Sequence, residues 1–378
     1  MELITNKKQC CGCTACYSIC PKNAIKMEYD EEGFLYPSIN SELCIDCGMC
    51  KSVCAFQNGY EKHPVIKGYA LKHKNMDIRM TSRSGGAFAG LAYHILSLGG
   101  VVYGAVYGDN YSVKHFRCTD EKDLSKIQGV KYIQSEMNDI FSDVKSDLKS
   151  GKYVLFSGTT CQVAGLLAFL KNTDTAKLYT ADLICHGVPN NMIWQEFLHW
   201  NERKYNGKLT DAKFRDKCYG WKPHFESVTI DGKKHRTKRF CLMFYENDIL
   251  RPSCYECKYA SLDRAGDFTL GDFWGIKKQY KDMFDKTGCS LFLINTKRGE
   301  ELFDKINDNF ILKDADVVKA SFPNPNLRFA TPLPKRRDYF WELYRTYDFD
   351  KVMKIYNRKI FKSRVKKNLK KIKRIIIK

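Results

Sequence analysis

Eight cysteines near the N-terminus fall into one pattern written twice: Cys10-x2-Cys13-x2-Cys16-x3-Cys20, followed by Pro21, and then Cys44-x2-Cys47-x2-Cys50-x3-Cys54, where Ala55 stands in place of a second proline. Three thiolates within one tight loop can cap a face of an iron–sulfur cubane, and a fourth lies a turn further on. In tandem runs of this spacing the fourth cysteine serves the other cluster. Cluster I would then take Cys10, Cys13, Cys16 and Cys54, and cluster II would take Cys44, Cys47, Cys50 and Cys20. Cys11 is spare. The alternatives are zinc or a disulfide framework. Zinc sites usually pair one CxxC with another at longer range, and disulfide-rich domains belong to short secreted chains. No apolar stretch precedes Cys10, so the chain is expected in the cytoplasm.

Four further cysteines carry chemistry by position. Cys161 and Cys185 follow predicted strand ends, and Cys254 and Cys257 form a CxxC after Arg251-Pro-Ser. Together they would suffice for one more tetrahedral thiolate site. Cys161 as a packing residue, and Cys254 with Cys257 as a zinc or redox pair, remain open from spacing alone. Cys118, Cys218, Cys241 and Cys289 have no partner by spacing and read as packing residues. Three polar loops also stand out: Thr81-Ser-Arg83-Ser84-Gly85-Gly86, Ser157-Gly158-Thr159-Thr160, and Cys185-His186-Gly187. Glycines at a helix start let backbone N–H groups approach a phosphate, and Arg83 adds a bidentate cation.

The elements that would position these groups alternate between strand and helix. Ile66 to Leu71, Val101 to Tyr107, Tyr153 to Phe156, Leu178 to Ile184, Asp267 to Phe273 and Ser290 to Asn295 read as strands. Gly86 to Leu98, Cys161 to Leu170, a stretch through Trp194 and Trp200, and Gly299 to Phe310 read as helices. Phe225 to Ile230 and Arg239 to Phe244 are further candidate strands. Alternation of this kind argues for an α/β domain, in which ligands gather at the carboxyl ends of strands.

The segments taken in order resemble the beta-subunit family of coenzyme F420 hydrogenases and dehydrogenases. The residues that carry the likeness are Ser84-Gly85-Gly86, Gly129-Val-Lys131-Tyr132-Ile-Gln-Ser135, Gly158-Thr159-Thr160-Cys161-Gln162, Cys185-His186-Gly187-Val188-Pro189, Phe214-Arg-Asp-Lys217 with Gly220-Trp221, and Arg251 to Cys257 leading to Gly271-Asp272-Phe273-Trp274-Gly275. Thr160 stands where relatives often have proline. The resemblance implies a flavoprotein in which FAD exchanges a hydride with a deazaflavin or another organic donor or acceptor and passes single electrons to 4Fe-4S clusters. It implies flavin contacts from Arg83, Ser84, Gly85, Gly86, Lys131, Ser135, Gly158, Thr159, Thr160 and Gln162. It also makes Cys161, Cys185, Cys254 and Cys257 ligands of a third cluster beside the flavin.

The expected fold class is therefore α+β or α/β. A small bacterial-ferredoxin-like domain, residues 1–60 and held together by its clusters, precedes an α/β flavin-binding body over 61–345, divided near residue 150. A basic amphipathic tail, 346–378, follows. Formal charge is +20, and Arg358 to Lys378 holds eleven Lys or Arg with no Asp or Glu. Phe361, Val365, Leu369, Ile372 and Ile376 would share one helix face, which leaves two readings, a solvated and partly frayed terminus or adhesion to an anionic surface at the inner face of the membrane. No recognition module for specific nucleic acid accompanies the charge. The expected partners are a redox protein or ferredoxin. Two rival functions remain: a ferredoxin-dependent reductase of a surface-polysaccharide intermediate, and a non-catalytic electron-transfer subunit bridging a partner enzyme.

Overall fold

The computed structural model describes residues 3–222, 224–356 and 358; the predicted tail helix from Phe361 to Ile376 lies outside them. Thirteen strands are described: β1 (Ile25–Tyr29), β2 (Leu35–Ile39), β3 (Lys67–His73), β4 (Val101–Tyr107), β5 (Val113–Cys118), β6 (Val154–Thr159), β7 (Leu178–Leu183), β8 (Leu209–Lys213), β9 (Glu226–Ile230), β10 (Lys233–Thr237), β11 (Phe268–Asp272), β12 (Ser290–Ile294) and β13 (Phe310–Asp314). Eight of them form one mixed sheet in the order β13-β3-β12-β11-β7-β6-β4-β5. Its centre, β4, β6, β7 and β11, is parallel, and the flanking pairs are antiparallel. The parallel strands are buried along most of their length, as Val154-Leu-Phe156 shows, so they read as continuous apolar runs.

The helices Ala87–Ser97 and Thr160–Phe169 start where predicted. A β1–β2 hairpin sits between the two cysteine runs, and a three-stranded sheet β10-β9-β8 flanks the body. Two expectations are corrected. Arg239 to Phe244 is a helix, Arg239–Tyr245, because Phe240, Cys241, Met243 and Phe244 bury one helical face while the Glu226 carboxylate accepts from the first-turn N–H groups of Phe240 and Cys241 at 2.8 and 3.2 Å. The helix expected to run to Phe310 covers Lys297–Asp304, and Phe310 opens β13, its ring packed on Phe303.

The ferredoxin-like segment is not packed only on itself. Cys11, Cys13, Ala15, Val53 and Phe56 share a core with Phe141, Phe156, Val163 and Leu166 of the body. At Gly165 an added Cβ would lie 2.8 Å from Cys13 Sγ, so the helix Thr160–Phe169 approaches the first cysteine run as closely as a glycine permits. Packing also continues past residue 345, where Phe349, Val352, Met353 and Tyr356 are buried against Phe340 and Trp341.

Candidate functional site

The carboxyl ends of β6 and β7 deliver Cys161 and Cys185 to one place. The turn Pro252–Glu256 brings Cys254 and Cys257 to the same place, and all four cysteines line a single cavity. Gly187, at φ +132°, makes the approach possible: a side chain there would meet Leu250 at 2.8 Å and Cys254 Cβ at 3.3 Å. Arg264 braces the floor from behind. Its buried guanidinium binds Asp182 Oδ1 at 2.7 Å, Thr160 Oγ1 at 2.7 Å and the Leu183 carbonyl at 3.0 Å, which fixes the residues next to Cys161 and leading to Cys185.

Burial and the neighbouring thiols push Cys254 up to about 12 and Cys257 up to about 11, and they hold Cys185 well above the ordinary thiol value. Cys161 is the exception, lowered to about 7 by a hydrogen bond from Cys11. Four crowded thiols in one partly buried cavity, three of them reluctant to ionise alone, are a donor set that a polynuclear cation would relieve by displacing their protons. The residues therefore fit an iron–sulfur cluster.

The first run behaves similarly. Cys16 lies in electrostatic range of Cys10, Cys13 and Cys54, the predicted cluster I set. Cys50 lies in range of Cys47 and Cys20, three of the four predicted for cluster II. Cys47 of the second set is exposed, whereas Cys13 of the first is buried in the core shared with the body.

Arg251 joins the two regions and was not singled out by sequence. Its guanidinium is fully buried. It donates to the Cys10 carbonyl at 2.8 Å, the Leu35 carbonyl at 2.8 Å and Gln134 Oε1 at 3.0 Å, lies 3.6 Å from Cys10 Sγ, and covers the Tyr36 ring at 4.2 Å. Its backbone N–H pairs with Val188, three residues after Cys185. The only sequence signal was an arginine directly before Pro-Ser-Cys. Tyr259, two residues past Cys257, was also missed.

The predicted flavin residues divide. Gly86, at φ +91°, precedes the eleven-residue helix Ala87–Ser97, whose N-terminus carries no side-chain cap. Around this turn stand Arg79, Arg83 and Lys217; Lys217 Nζ donates to the Ser82 and Ser84 carbonyls at 3.0 Å, and burial lowers it to about 7. Among the described residues, buried Ser82 Oγ, Arg79 Nε and Arg83 Nε have no hydrogen-bond partner. Arg79 is paired with Asp285 and Arg83 lies 3.5 Å from Asp272, so it is the unpaired donors at this uncapped helix N-terminus that fit a phosphate group. Gly85 serves packing instead, since a Cβ would strike the Leu71 carbonyl at 2.0 Å, and Ser84 Oγ donates to the Cys289 carbonyl.

Thr159 and Thr160 border the cysteine cavity. Gln162 Oε1 accepts from the N–H and hydroxyl of Thr159, and Gln162 Nε2 donates to Ser135 Oγ, so Gln162 and Ser135 hold the Gly158–Thr160 turn from within. Lys131 points away from both places: its ammonium donates to the carbonyls of Lys126, Ile127 and Gln128 at 2.8–3.1 Å. His224, Glu226 and Cys241 come within 4.8 Å of one another. Both His224 nitrogens are hydrogen-bonded and Glu226 caps a helix, so this trio is satisfied by the fold.

Residues 9–58 match the 4Fe-4S dicluster domain, and residues 151–319 match the family described as the C terminus of the coenzyme F420 hydrogenase/dehydrogenase beta subunit. An uncharacterised ferredoxin of Methanocaldococcus jannaschii is 35% identical over 54 residues, 14% of this chain and 69% of that protein. Pyruvate synthase subunit PorD of Thermotoga maritima is 35% identical over 57 residues, 15% of this chain and 54% of that protein. A chain of the F420-reducing NiFe hydrogenase complex from Methanosarcina barkeri aligns over 74% of this chain and 92% of its own, at 18% identity and a TM-score of 0.49. Among the described residues no helix is long and apolar enough to cross a membrane. The chain thus carries a 4Fe-4S dicluster domain over residues 9–58 and, over 151–319, the C-terminal region of the coenzyme F420 hydrogenase/dehydrogenase beta-subunit family, and it is an iron–sulfur electron-transfer protein related to that subunit.

Proposed function

We propose that the chain is an iron–sulfur flavoprotein oxidoreductase. Cys10, Cys13, Cys16 and Cys54 hold cluster I, and Cys44, Cys47, Cys50 and Cys20 hold cluster II. Cys161, Cys185, Cys254 and Cys257 hold a third, and FAD occupies the body with a deazaflavin or another organic molecule as its hydride partner. The observation that carries this reading is the convergence of four cysteines from three separate segments on one cavity, directly against the ferredoxin-like segment. When bound, FAD exchanges electrons in pairs and singly, whereas each cluster handles one.

The chain's own residues have separable tasks. Arg79, Arg83, Lys217 and the N-terminus of Ala87–Ser97 would hold phosphate. The turn Gly158 to Gln162, fixed by Ser135, would hold the end of the cofactor nearest the cavity, and Lys131 supports the site by anchoring its own loop. Leu43, Ile45 and Met49 are exposed around Cys44 and Cys47, which supports docking of a redox protein or ferredoxin at cluster II.

An anaerobic cofactor inventory of the full chain tests the reading. The expected result is about twelve irons and one flavin per chain. Irons without flavin, even after reconstitution, would leave the bridging electron-transfer subunit as the function. The basic tail is proposed to rest on an anionic membrane surface, which vesicle co-sedimentation of the full chain against one ended at Asn357 tests; binding that falls with salt and needs the tail supports it.

A further inference from the structure

Two residues that no ligand set uses stand in the wall between cluster I and the body cavity. Cys11 is buried and borders both the four-cysteine cavity and the space lined by Cys10, Cys13, Cys16 and Cys54. Its thiol neighbours those of Cys13 on one side and Cys161 on the other, one predicted ligand from each set. Tyr259 closes the same wall. Its ring packs on Phe56 and Tyr60, at centroid distances of 5.9 and 4.8 Å. The residue is 3% exposed, yet among the described residues its hydroxyl has no hydrogen-bond partner. That hydroxyl lies in electrostatic range of Cys11, Cys161, Cys13 and Cys54.

A buried O–H without an acceptor is costly, so its surroundings bear on what it donates to. Here the surroundings are sulfur on both sides. Thiolate and sulfide sulfurs accept hydrogen bonds, and donors to them raise a cluster's reduction potential, because the added electron is stabilised by the donor's positive end.

We propose that Cys11 and Tyr259 form a hydrogen-bonding partition between cluster I and the third cluster. They ligate neither, each donates its one proton to a sulfur at the wall it lines, and together they set the two potentials across that wall. The partition rests on the third-cluster reading above. It differs from a simple packing role in what it predicts: Tyr259→Phe keeps the ring and removes only the donor, and Cys11→Ser keeps a donor that Cys11→Ala removes.

The test is an anaerobic potentiometric titration of the full-length protein followed by electron paramagnetic resonance, with iron counted in each variant. Tyr259→Phe and Cys11→Ala are expected to retain all iron and to make the reduced state of at least one of the two clusters about tenfold less favoured, about 59 mV lower for one electron. Cys11→Ser is expected to stay near wild type, and magnetic coupling between the two reduced clusters is expected to weaken in Cys11→Ala. Unmoved potentials and coupling, with iron intact, overturn the partition. Loss of about four irons in Cys11→Ala also overturns it, by making Cys11 a ligand. A wild type holding only about eight irons refutes the third site, and the partition falls with it, whereas about twelve irons with unmoved potentials refutes the partition alone.

Discussion

Arg251→Met removes a fully buried guanidinium of nearly the same length and leaves three acceptors, the carbonyls of Cys10 and Leu35 and Gln134 Oε1, without their donors. Each stranded acceptor costs about 1–3 kcal/mol, and removing one partner from a buried charged network typically costs about 3–5 kcal/mol, so we expect a loss of about 3–5 kcal/mol. A second effect is electrostatic. At the 3.6 Å separation of Nη2 from Cys10 Sγ, a full charge pair is worth about 4.6 kcal/mol at an effective dielectric of about 20. The electron that reduces a cluster is spread over many atoms, most of them farther away, so about 1–2 kcal/mol of this reaches the potential. That corresponds to a fall of about 40–85 mV for one electron. Arg251→Lys separates the two effects, since it keeps the charge and loses the fork; it should retain most of the potential and little of the stability. Anaerobic urea unfolding followed by cluster absorbance reads the first effect, and redox titration reads the second. If Arg251→Met kept both its urea midpoint and its cluster I potential, the reasoning that joins the two regions through this side chain would be wrong.

Gly165→Val should push the first cysteine run off the helix Thr160–Phe169, because the new Cβ meets Cys13 Sγ at 2.8 Å; loss of about four irons, with new proteolytic cleavage near residue 60, is the expected readout. Gly86→Glu places a carboxylate and a side chain at φ +91° where a phosphate is proposed, so flavin retention should be abolished while iron is kept. His115 is buried, held by Ser135 Oγ at 2.8 Å and the Ser157 carbonyl at 3.0 Å, and burial lowers it to about 4. A depressed value means the folded state prefers the neutral ring. Its stability is present above the unfolded value near 6.5 and is lost as pH falls from there towards about 4, by up to about 3 kcal/mol. Urea midpoints between pH 7 and 4.5 should show this slope, and His115→Gln should flatten it.

What could be read from the sequence was what is encoded locally. The paired cysteine runs, the parallel strands β4, β6, β7 and β11, and the helices that start at Ala87 and Thr160 depend on short-range spacing and on continuous apolar runs, and they stand where expected. Arg239 to Phe244 failed because six consecutive apolar or long residues fit either period. What decides for helix is Glu226, thirteen residues upstream in the chain and adjacent only after β9 has formed. The flank of the sheet from β12 to β13 was equally hidden, since β3 inserts between them from more than 200 residues away.

The site divides along the same line between local and distant. The cysteines announced themselves by type, but nothing in their spacing could say that Arg251 reaches Cys10, that Gly165 gives way to Cys13, or that Phe56 packs on Tyr259. Each of these contacts joins the first sixty residues to the body, and together they make one core where composition suggested a small domain carried by its clusters alone. A tethered ferredoxin would need no buried arginine at its joint and no glycine beneath its ligand. The presence of both means that the geometry between the first cysteine run and the four-cysteine cavity is fixed by folding, not by collision, and that changes at the joint should alter iron retention and potential together.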